Sequence, residues 1–487
     1  MTIDFPITKA KEFTDAAAAV SYIGELYHQS SDRIKKAFQG IMDGSVDQSV
    51  PIEATYPFAG IKVEQKNLCK DPRLSFGVVF EPGLYGSTLT QPDIFGSYYH
   101  EQLSLLLERH KSPIVIGASQ CSIPLPFVVD HTPTQLDEEQ LWNALQGFVL
   151  PNLSRIDDNI PNGTAKPNPN GIKPLALFAA ERVDFSLHRL QHYTATQINH
   201  FQSFVLLTNY QRYIDEFIVY GKKQIKANSG YTELIGPGNS VLASNEDRHE
   251  AKIKTPKYLP QMPAYHLKRA DGQGITFINI GVGPSNAKTI TDHLAVLRPH
   301  CWLMLGHCAG LRGTQVLGDY VLAHAYVRED HVLDQDLPPW IPLPPIAEVQ
   351  VALQKAVINI SGEEIKGLKS HMRTGTVLTT DNRNWELRSH ELYERFIQSR
   401  AIAVDMESAT VAANGFRFRV PYGTLLCVSD KPIHGEIKLQ GMANAFYRQR
   451  VSQHLEIGLE AVRLLREGGV DQLHSRKLRG FDEPPFR

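Results

Sequence analysis

The chain has 487 residues, 50 basic and 52 acidic side chains and 42% hydrophobic content, the composition of a soluble globular protein with room for two or three domains. A formal charge of -2 supplies no electrostatic drive toward nucleic acid or an anionic membrane surface, so neither is expected as a partner. The opening MTIDFPITKAKEF lacks an apolar signal core, and no run approaches the about 20 apolar residues of a membrane span.

In chain order, the first half predicts a helix over Thr14 to Asp43, with Val20, Ile23, Tyr27, Ile34, Phe38 and Ile41 at roughly helical spacing. A second helix is expected around Tyr99 to Arg109, with short strands at Ile114 to Ile116 and Phe127 to Val129. The Pro-, Asn- and Gly-rich run Ile160 to Pro174 reads as a loop. From Phe204 a strand–helix alternation sets in. The strand FVLLTNY precedes a helix over Gln211 to Lys226, and HLKRADGQGITFINIGVG reads as a hairpin turning at Asp271 and Gly272. A helix from Ser285 to Leu297 and the strands CWLMLG and YVLAHAYV follow, then the loop LPPWIPLPP and a helix from Ile346. The strand TGTVLTT, a helix from His390, the strand AIAVDM, a helix from Glu407, the strand GTLLCVSD and a helix from Ala443 complete the chain. Such a pattern predicts an α/β domain with a largely buried sheet, whose ligands bind at the carboxyl ends of strands.

Three polar clusters follow strands in this half and are expected at one edge of the sheet. In GVGPSNAK (Gly281 to Lys288) the glycines let backbone approach a ligand, the helix start offers N–H groups to an anion, and Ser285 or Asn286 is the expected N-cap. Neither a dinucleotide G-x-G-x-x-G nor a P-loop is present. In LGHCAGL (Leu305 to Leu311), His307 and Cys308 lack the spaced partners of a metal site, and Cys308 reads as a buried thiol in a turn. The third cluster is a pair of acidic strand ends, VDMES (Val404 to Ser408) and CVSDKP (Cys427 to Pro432). Two carboxylates on separate strands can flank one glycosidic bond, one protonating the leaving group and one stabilising the cationic sugar. The five cysteines, Cys69, Cys121, Cys301, Cys308 and Cys427, are scattered without a C-x-x-C pair. That predicts a reduced, cytoplasmic setting rather than a disulfide framework.

The succession of a glycine turn, then GHCAG, then VDMESAT, then VSD resembles the nucleoside phosphorylase and nucleosidase superfamily over about residues 204–466. The stretches DGQGITFINIGVGPSNAKTI, DHLAVLRP, RTGT, DNRNWELR, VPYGTLLCVSDKP, HGEIKL, RVDFSLHRL and HSRKLR are similar to its bacterial AMP nucleosidase family and extend the resemblance over nearly the whole chain. The resemblance implies a nucleoside-phosphorylase-like α/β/α domain with a mixed sheet, residues 204–487, behind an α+β regulatory domain, residues 1–190, and a linker, 191–203. It implies hydrolysis of AMP to adenine and ribose 5-phosphate with no cofactor or metal, ATP and phosphate as effectors, and a homohexamer.

The same resemblance implies residue roles. Glu407, with the backbone of Met406, would hold the ribose hydroxyls, and Asp430, in the S-D motif with Ser429, would protonate purine N7. Gly283, His307 and Trp385 are implied at the substrate, although Trp385 reads equally well as a core residue. Arg212 is the expected contact to the 5′-phosphate, with Ser285, Asn286 and Lys288 behind it. Asp405 is expected to be structural. Arg182, His188 and Arg189 could meet an effector phosphate or simply lie on an interdomain helix. Met304 stands near where phosphorylases of the superfamily carry a phosphate-binding arginine, which favours water as nucleophile. The group that activates the water is not assigned by the sequence. The rival readings are a purine nucleoside phosphorylase and a non-catalytic adenine-nucleotide sensor.

Overall fold

The structure is a computed structural model that describes residues 5–42, 52, 54–71, 73–129, 147–166, 171–245, 258–362, 365–436, 442–473, 478–480 and 482–487. Asp43, residues 167–170 of the loop, the end of HGEIKL (437–439) and residues 474–477 of HSRKLR therefore lie outside it. Two compact units emerge: residues 1–188 with 479–487, and residues 189–478.

In the first unit, strands β1 (Thr8–Phe13), β2 (Thr55–Val63), β3 (Gly83–Thr88), β4 (Ile114–Ser122) and β5 (Ile172–Lys173) form a sheet ordered β1-β4-β2-β3-β5. Its pairs are antiparallel except β3 with β5. Helices α1 (Ala16–Met42) and α2 (Pro92–His110) pack against each other. The helical-spaced residues Tyr27, Ile34 and Phe38 enter a core with Tyr56, Ile123, Leu125 and Ala180, the first residue of α3 (Ala180–Thr194). That burial is the main drive for a long helix whose isolated propensity is weak. The expected strand at Phe127 to Val129 is instead a 3-10 turn over Leu125–Phe127. Pro124 and Pro126 carry no N–H to donate, so the segment cannot enter a ladder. The final residues return to this unit, where the Phe486 N–H donates to Leu175 O at 3.0 Å.

One carboxylate in this core is buried in full. Asp184 accepts hydrogen bonds from the Tyr56 hydroxyl and Thr90 Oγ1, each at 2.8 Å, and burial pushes its pKa up to about 7. The folded state therefore holds a proton that the unfolded chain has released above its ordinary 3.8. Stability from this group is fully present below that value and is lost as pH rises toward 7, by up to about 4 kcal/mol. Thermal melts of the full chain at pH 5 and pH 8 are expected to show this fall, and Asp184→Asn is expected to flatten it. An unchanged slope in the variant would place the titration elsewhere.

In the second unit the strands are β6 (Phe204–Thr208), β7 (Glu233–Gly236), β8 (Ser240–Ser244), β9 (Ala264–Lys268), β10 (Ile275–Asn279), β11 (Cys301–Gly310), β12 (Tyr320–Glu329), β13 (Met372–Thr380), β14 (Ala403–Asp405) and β15 (Tyr422–Asp430). They form a mixed sheet ordered β14-β13-β12-β15-β11-β6-β10-β9-β7-β8, and β14 also pairs with β11. That extra pairing closes β11, β14, β13, β12 and β15 into a ring. β15, β11, β6 and β10 are parallel neighbours, so their carboxyl ends share one edge. The helices are α4 (Gln211–Lys226), α5 (Pro284–Leu294), α6 (Ala347–Ser361), α7 (Ile365–His371), α8 (Ser389–Ser399), α9 (Ser408–Arg417) and α10 (Met442–Glu467). All ten residues of β11 are buried, which explains the near-continuous apolar run CWLML. α4 is tied inward by a polar chain: His454 Nε2 lies 3.0 Å from Leu425 O and its Nδ1 2.7 Å from the Tyr213 hydroxyl. The carbonyl can only accept, so Nε2 carries the hydrogen and Tyr213 donates to Nδ1. Burial pushes this imidazole's pKa down to about 3, which keeps it neutral.

Candidate active site

β14 ends at Asp405, and the chain turns directly into α9 at Ser408. Asp405 supplies the turn's acceptor. Its carboxylate takes the Ser408 N–H at 2.8 Å, the Glu407 N–H at 3.4 Å, the Ser408 hydroxyl and the Thr379 hydroxyl. Those donors and the start of α9 hold a buried charge in place. This is the structural role expected of it.

Glu407, 1% exposed, lies one residue beyond Met406 and is held differently. Its Oε1 accepts the Gly283 N–H at 2.7 Å, and its Oε2 accepts Asn209 Nδ2 at 3.0 Å. So the VDMES turn, the glycine turn after β10 and the residue after β6 meet at one carboxylate. Burial, and then the neighbouring Asp405 charge, push the Glu407 pKa upward, while the Gly283 and Asn209 donors oppose the shift. Asp405 is also pushed up by burial but has more donors. Burial thus pushes both carboxylates of the pair toward their protonated forms.

Gly283 has φ 114 and itself caps α5, with Pro284 in the first helical position. The expected Ser285 or Asn286 cap is thus corrected. A left-handed backbone is cheap only for glycine, proline needs no N–H at N1, and the Gly283 N–H turns to Glu407. Ser285 is exposed and Asn286 half-buried in this first turn. Asn286 Nδ2 lies 3.3 Å from Val282 O. The Lys288 ammonium is engaged by Asp292 at 2.6 Å. Arg212 is exposed in the first turn of α4, just after β6.

Asp430 ends β15 and pairs in register with Ala309 of β11, past an irregularity at Cys308. The Ser429 hydroxyl lies 2.8 Å from Asp430 Oδ1 and 3.3 Å from Cys308 O, so it orients the carboxylate against the neighbouring strand. Lys431 and Glu436 close the following turn through paired backbone bonds of 2.8 and 3.1 Å and an ion pair of 2.6 Å. His307, on the same strand as Cys308, stands edge-on to Tyr210 with ring centroids 4.9 Å apart. Cys308, Cys301 and Cys427 are buried and outside any disulfide among the described residues. Trp385 is buried in a hydrophobic cluster, edge-on to Phe396 and grouped with Leu378, Ala401, Val404 and Ala309, the residue in register with Asp430. Among the described residues no group of three or more His, Cys, Asp or Glu could hold a metal ion.

Glu407 is buried just beyond the end of β14, and half-buried Asp430 is the last residue of β15; both strands pair with β11. Residues 18–172 match the family described as the bacterial AMP nucleoside phosphorylase N-terminus, and residues 243–463 match the phosphorylase superfamily. Over 477 residues the chain is 50% identical to AMP nucleosidase of Escherichia coli strain K12, covering 97% of this chain and 98% of that protein. The match to AMP nucleosidase of Escherichia coli O157:H7 has the same extent. The chain belongs to the AMP nucleosidase family. A crystal structure of AMP nucleosidase from Bacteroides thetaiotaomicron is similar at 29% identity and TM-score 0.43, covering 59% of this chain and 98% of that one.

Beside the family's motifs, the structure adds Asn209 and the Lys431–Glu436 bridge, which sequence reasoning missed. Asn209 reaches Glu407 across 198 positions of sequence. Its only sequence signal is a polar residue at the carboxyl end of a buried strand. Arg182 and Arg189, considered for an effector phosphate, are placed differently. The Arg182 guanidinium is buried on Asp158 at 2.8 Å and near Ser186, while Arg189 lies over the Tyr193 ring at 4.6 Å. His188 lies between them on α3.

Proposed function

We propose that this site hydrolyses the N-glycosidic bond of AMP, giving adenine and ribose 5-phosphate. The chain is a glycosidic-bond hydrolase of the AMP nucleosidase family, and the observation that supports the residue roles is Glu407 fixed by the Gly283 N–H and Asn209, with β14 before it and the Asp430 strand β15 both paired to β11. Asp430, oriented by Ser429, donates a proton to purine N7, so that the base leaves neutral. Glu407 and the Met406 backbone grip the ribose hydroxyls, and the carboxylate stabilises the positive ring as the bond breaks. Arg212, Ser285 and Asn286 surround the 5′-phosphate, and His307 borders the sugar. Burial of Trp385 beside Ala309 and Val404 supports a packing role, and no base-stacking role is assigned to it.

Residues 1–190 form a regulatory domain answering ATP as activator and phosphate as inhibitor, joined by residues 191–203 to the catalytic 204–487. The assembly is a cytoplasmic homohexamer. No described helix is long and apolar enough to cross a membrane.

Water, rather than phosphate, is the nucleophile in this reading. Met304 is fully buried on β11 near the position where phosphorylases carry an arginine. The test is incubation with AMP, with and without inorganic phosphate. Adenine and ribose 5-phosphate are expected in both. Ribose 1,5-bisphosphate would make the protein a phosphorylase, and intact AMP would leave a nucleotide sensor.

A further inference from the structure

One side chain at the site has half of its hydrogen-bonding capacity unspent. Asn209 gives its amide N–H to Glu407 Oε2 at 3.0 Å, but its Oδ1 is buried and has no hydrogen-bond partner among the described residues. A buried amide oxygen without a partner costs stability, so its place beside Glu407 points to a ligand. The surroundings define that ligand. Oδ1 faces Gly306: a Cβ built there would lie 3.6 Å from Oδ1 and 3.2 Å from the Met304 methyl. A Cβ there would press on the Met304 methyl, so glycine keeps a side chain off this acceptor, and the adjoining Met304 carries no charge. Covalent geometry then sets Oδ1 one amide width from the nitrogen bonded to Glu407. Two oxygen acceptors thus lie within about 5 Å of each other. A water molecule has two hydrogens to give and matches such a pair. A sugar hydroxyl or an alcohol has one. Inorganic phosphate would bring negative charge against both oxygens.

We propose that Asn209 positions the attacking water: its N–H fixes Glu407, and its carbonyl oxygen and Glu407 Oε2 together receive that water's two hydrogens. The inference rests on the AMP-hydrolysis reading and supplies its missing nucleophile site. In the step, the C1′–N9 bond breaks and its electron pair passes to the purine, which takes the Asp430 proton at N7. The water oxygen forms the new C1′–O bond, and one of its protons passes to the Glu407 carboxylate. Proton return from Glu407 to Asp430 through solvent resets the site, so water is the only co-reactant. Glu407 Oε1, bonded to Gly283, remains for the ribose hydroxyls.

The test uses the full-length protein, AMP and added methanol, and compares wild type with Asn209→Ala. The variant is expected to lose about 10–100-fold in kcat, with KM for AMP within about threefold. Its products are expected to shift about fivefold toward methyl riboside 5-phosphate, because one acceptor no longer favours the two-hydrogen nucleophile. A merely structural role for Asn209 would lower kcat without moving this partition, and that outcome overturns the proposal, as does an unchanged kcat with an unchanged partition. Wild type releasing no adenine would instead bring down the hydrolysis reading and this inference with it. Circular dichroism and melting report whether the variant folds. Asn209→Ser, read by the same partition, serves if alanine does not.

Discussion

Asp430→Asn is expected to lower kcat for AMP by about 10²–10⁴-fold, the usual worth of a positioned general acid, with KM changed only a few-fold. Adenine leaving as an anion is a poor leaving group, and protonation at N7 removes that penalty. The substitution keeps the volume and can still accept from the Ser429 hydroxyl, which lies 2.8 Å from Oδ1. The Lys431–Glu436 closure of the next turn is untouched, so the fold stands and the loss reports chemistry. Two substrates sharpen the measurement. 7-Deaza-AMP has no N7 to protonate and is expected to resist the wild-type enzyme. A 4-nitrophenyl riboside 5-phosphate leaves without a proton and is expected to be cleaved by wild type and variant within about tenfold of each other. Equal loss on both AMP and the nitrophenyl substrate would show that Asp430 supports the site without donating the proton.

Particular elements show what was legible in the sequence. The helix Gln211–Lys226 emerges with the expected ends, because its apolar positions Tyr213, Ile214, Phe217 and Ile225 fall on one helical face and a strand precedes it. The hairpin around Asp271 was equally readable, and β9 and β10 pair antiparallel on either side of it. Strands β7 and β8 were missed. Their sequence, ELIGPGNSVLAS, places Pro237 and Gly238 between two short apolar runs and reads as one loop until a neighbouring strand supplies hydrogen bonds. β1 was missed because TKAKEF is an edge strand with no buried position, so it carries no apolar alternation for a reader to find. The places of Glu407 just beyond β14 and Asp430 at the end of β15 were legible because each follows an apolar strand. Their environment was not. The Gly283 N–H and Asn209 reach Glu407 across 124 and 198 positions, and only the ring closure of β14 on β11 brings VDMES to the glycine turn. Lys288 had the charge for a phosphate contact, but its own helix provides Asp292 one turn on.

The Asp405–Glu407 pair yields the second large effect, and it has opposite signs for function and stability. Glu407→Gln is expected to lower kcat by at least about 10²-fold, because a neutral amide neither offsets the positive ribosyl ring nor takes a proton from water. The same variant is expected to melt higher than wild type above pH 7. Burial and Asp405 raise the Glu407 pKa in the folded state, so folding favours its protonated form. The stabilisation is present below the ordinary glutamate range and is lost as pH rises through the folded pKa, where the native site must hold two buried charges. Glutamine removes one of them. Its carbonyl oxygen can keep the Gly283 N–H, and rotating the Asn209 amide offers Oδ1 to the new NH₂, which moves the Asn209 NH₂ to the place beside Gly306 that Oδ1 held. A gain of about 1–3 kcal/mol at pH 8 is the scale for relieving one poorly compensated buried polar group, and it should vanish near pH 4. Melts of wild type and Glu407→Gln across that range, without ligand, measure it. The physical content is that Glu407 is kept ionisable at a cost to the fold, as functional sites commonly are. A variant that is both less stable at pH 8 and as active as wild type would mean that the carboxylate serves packing alone.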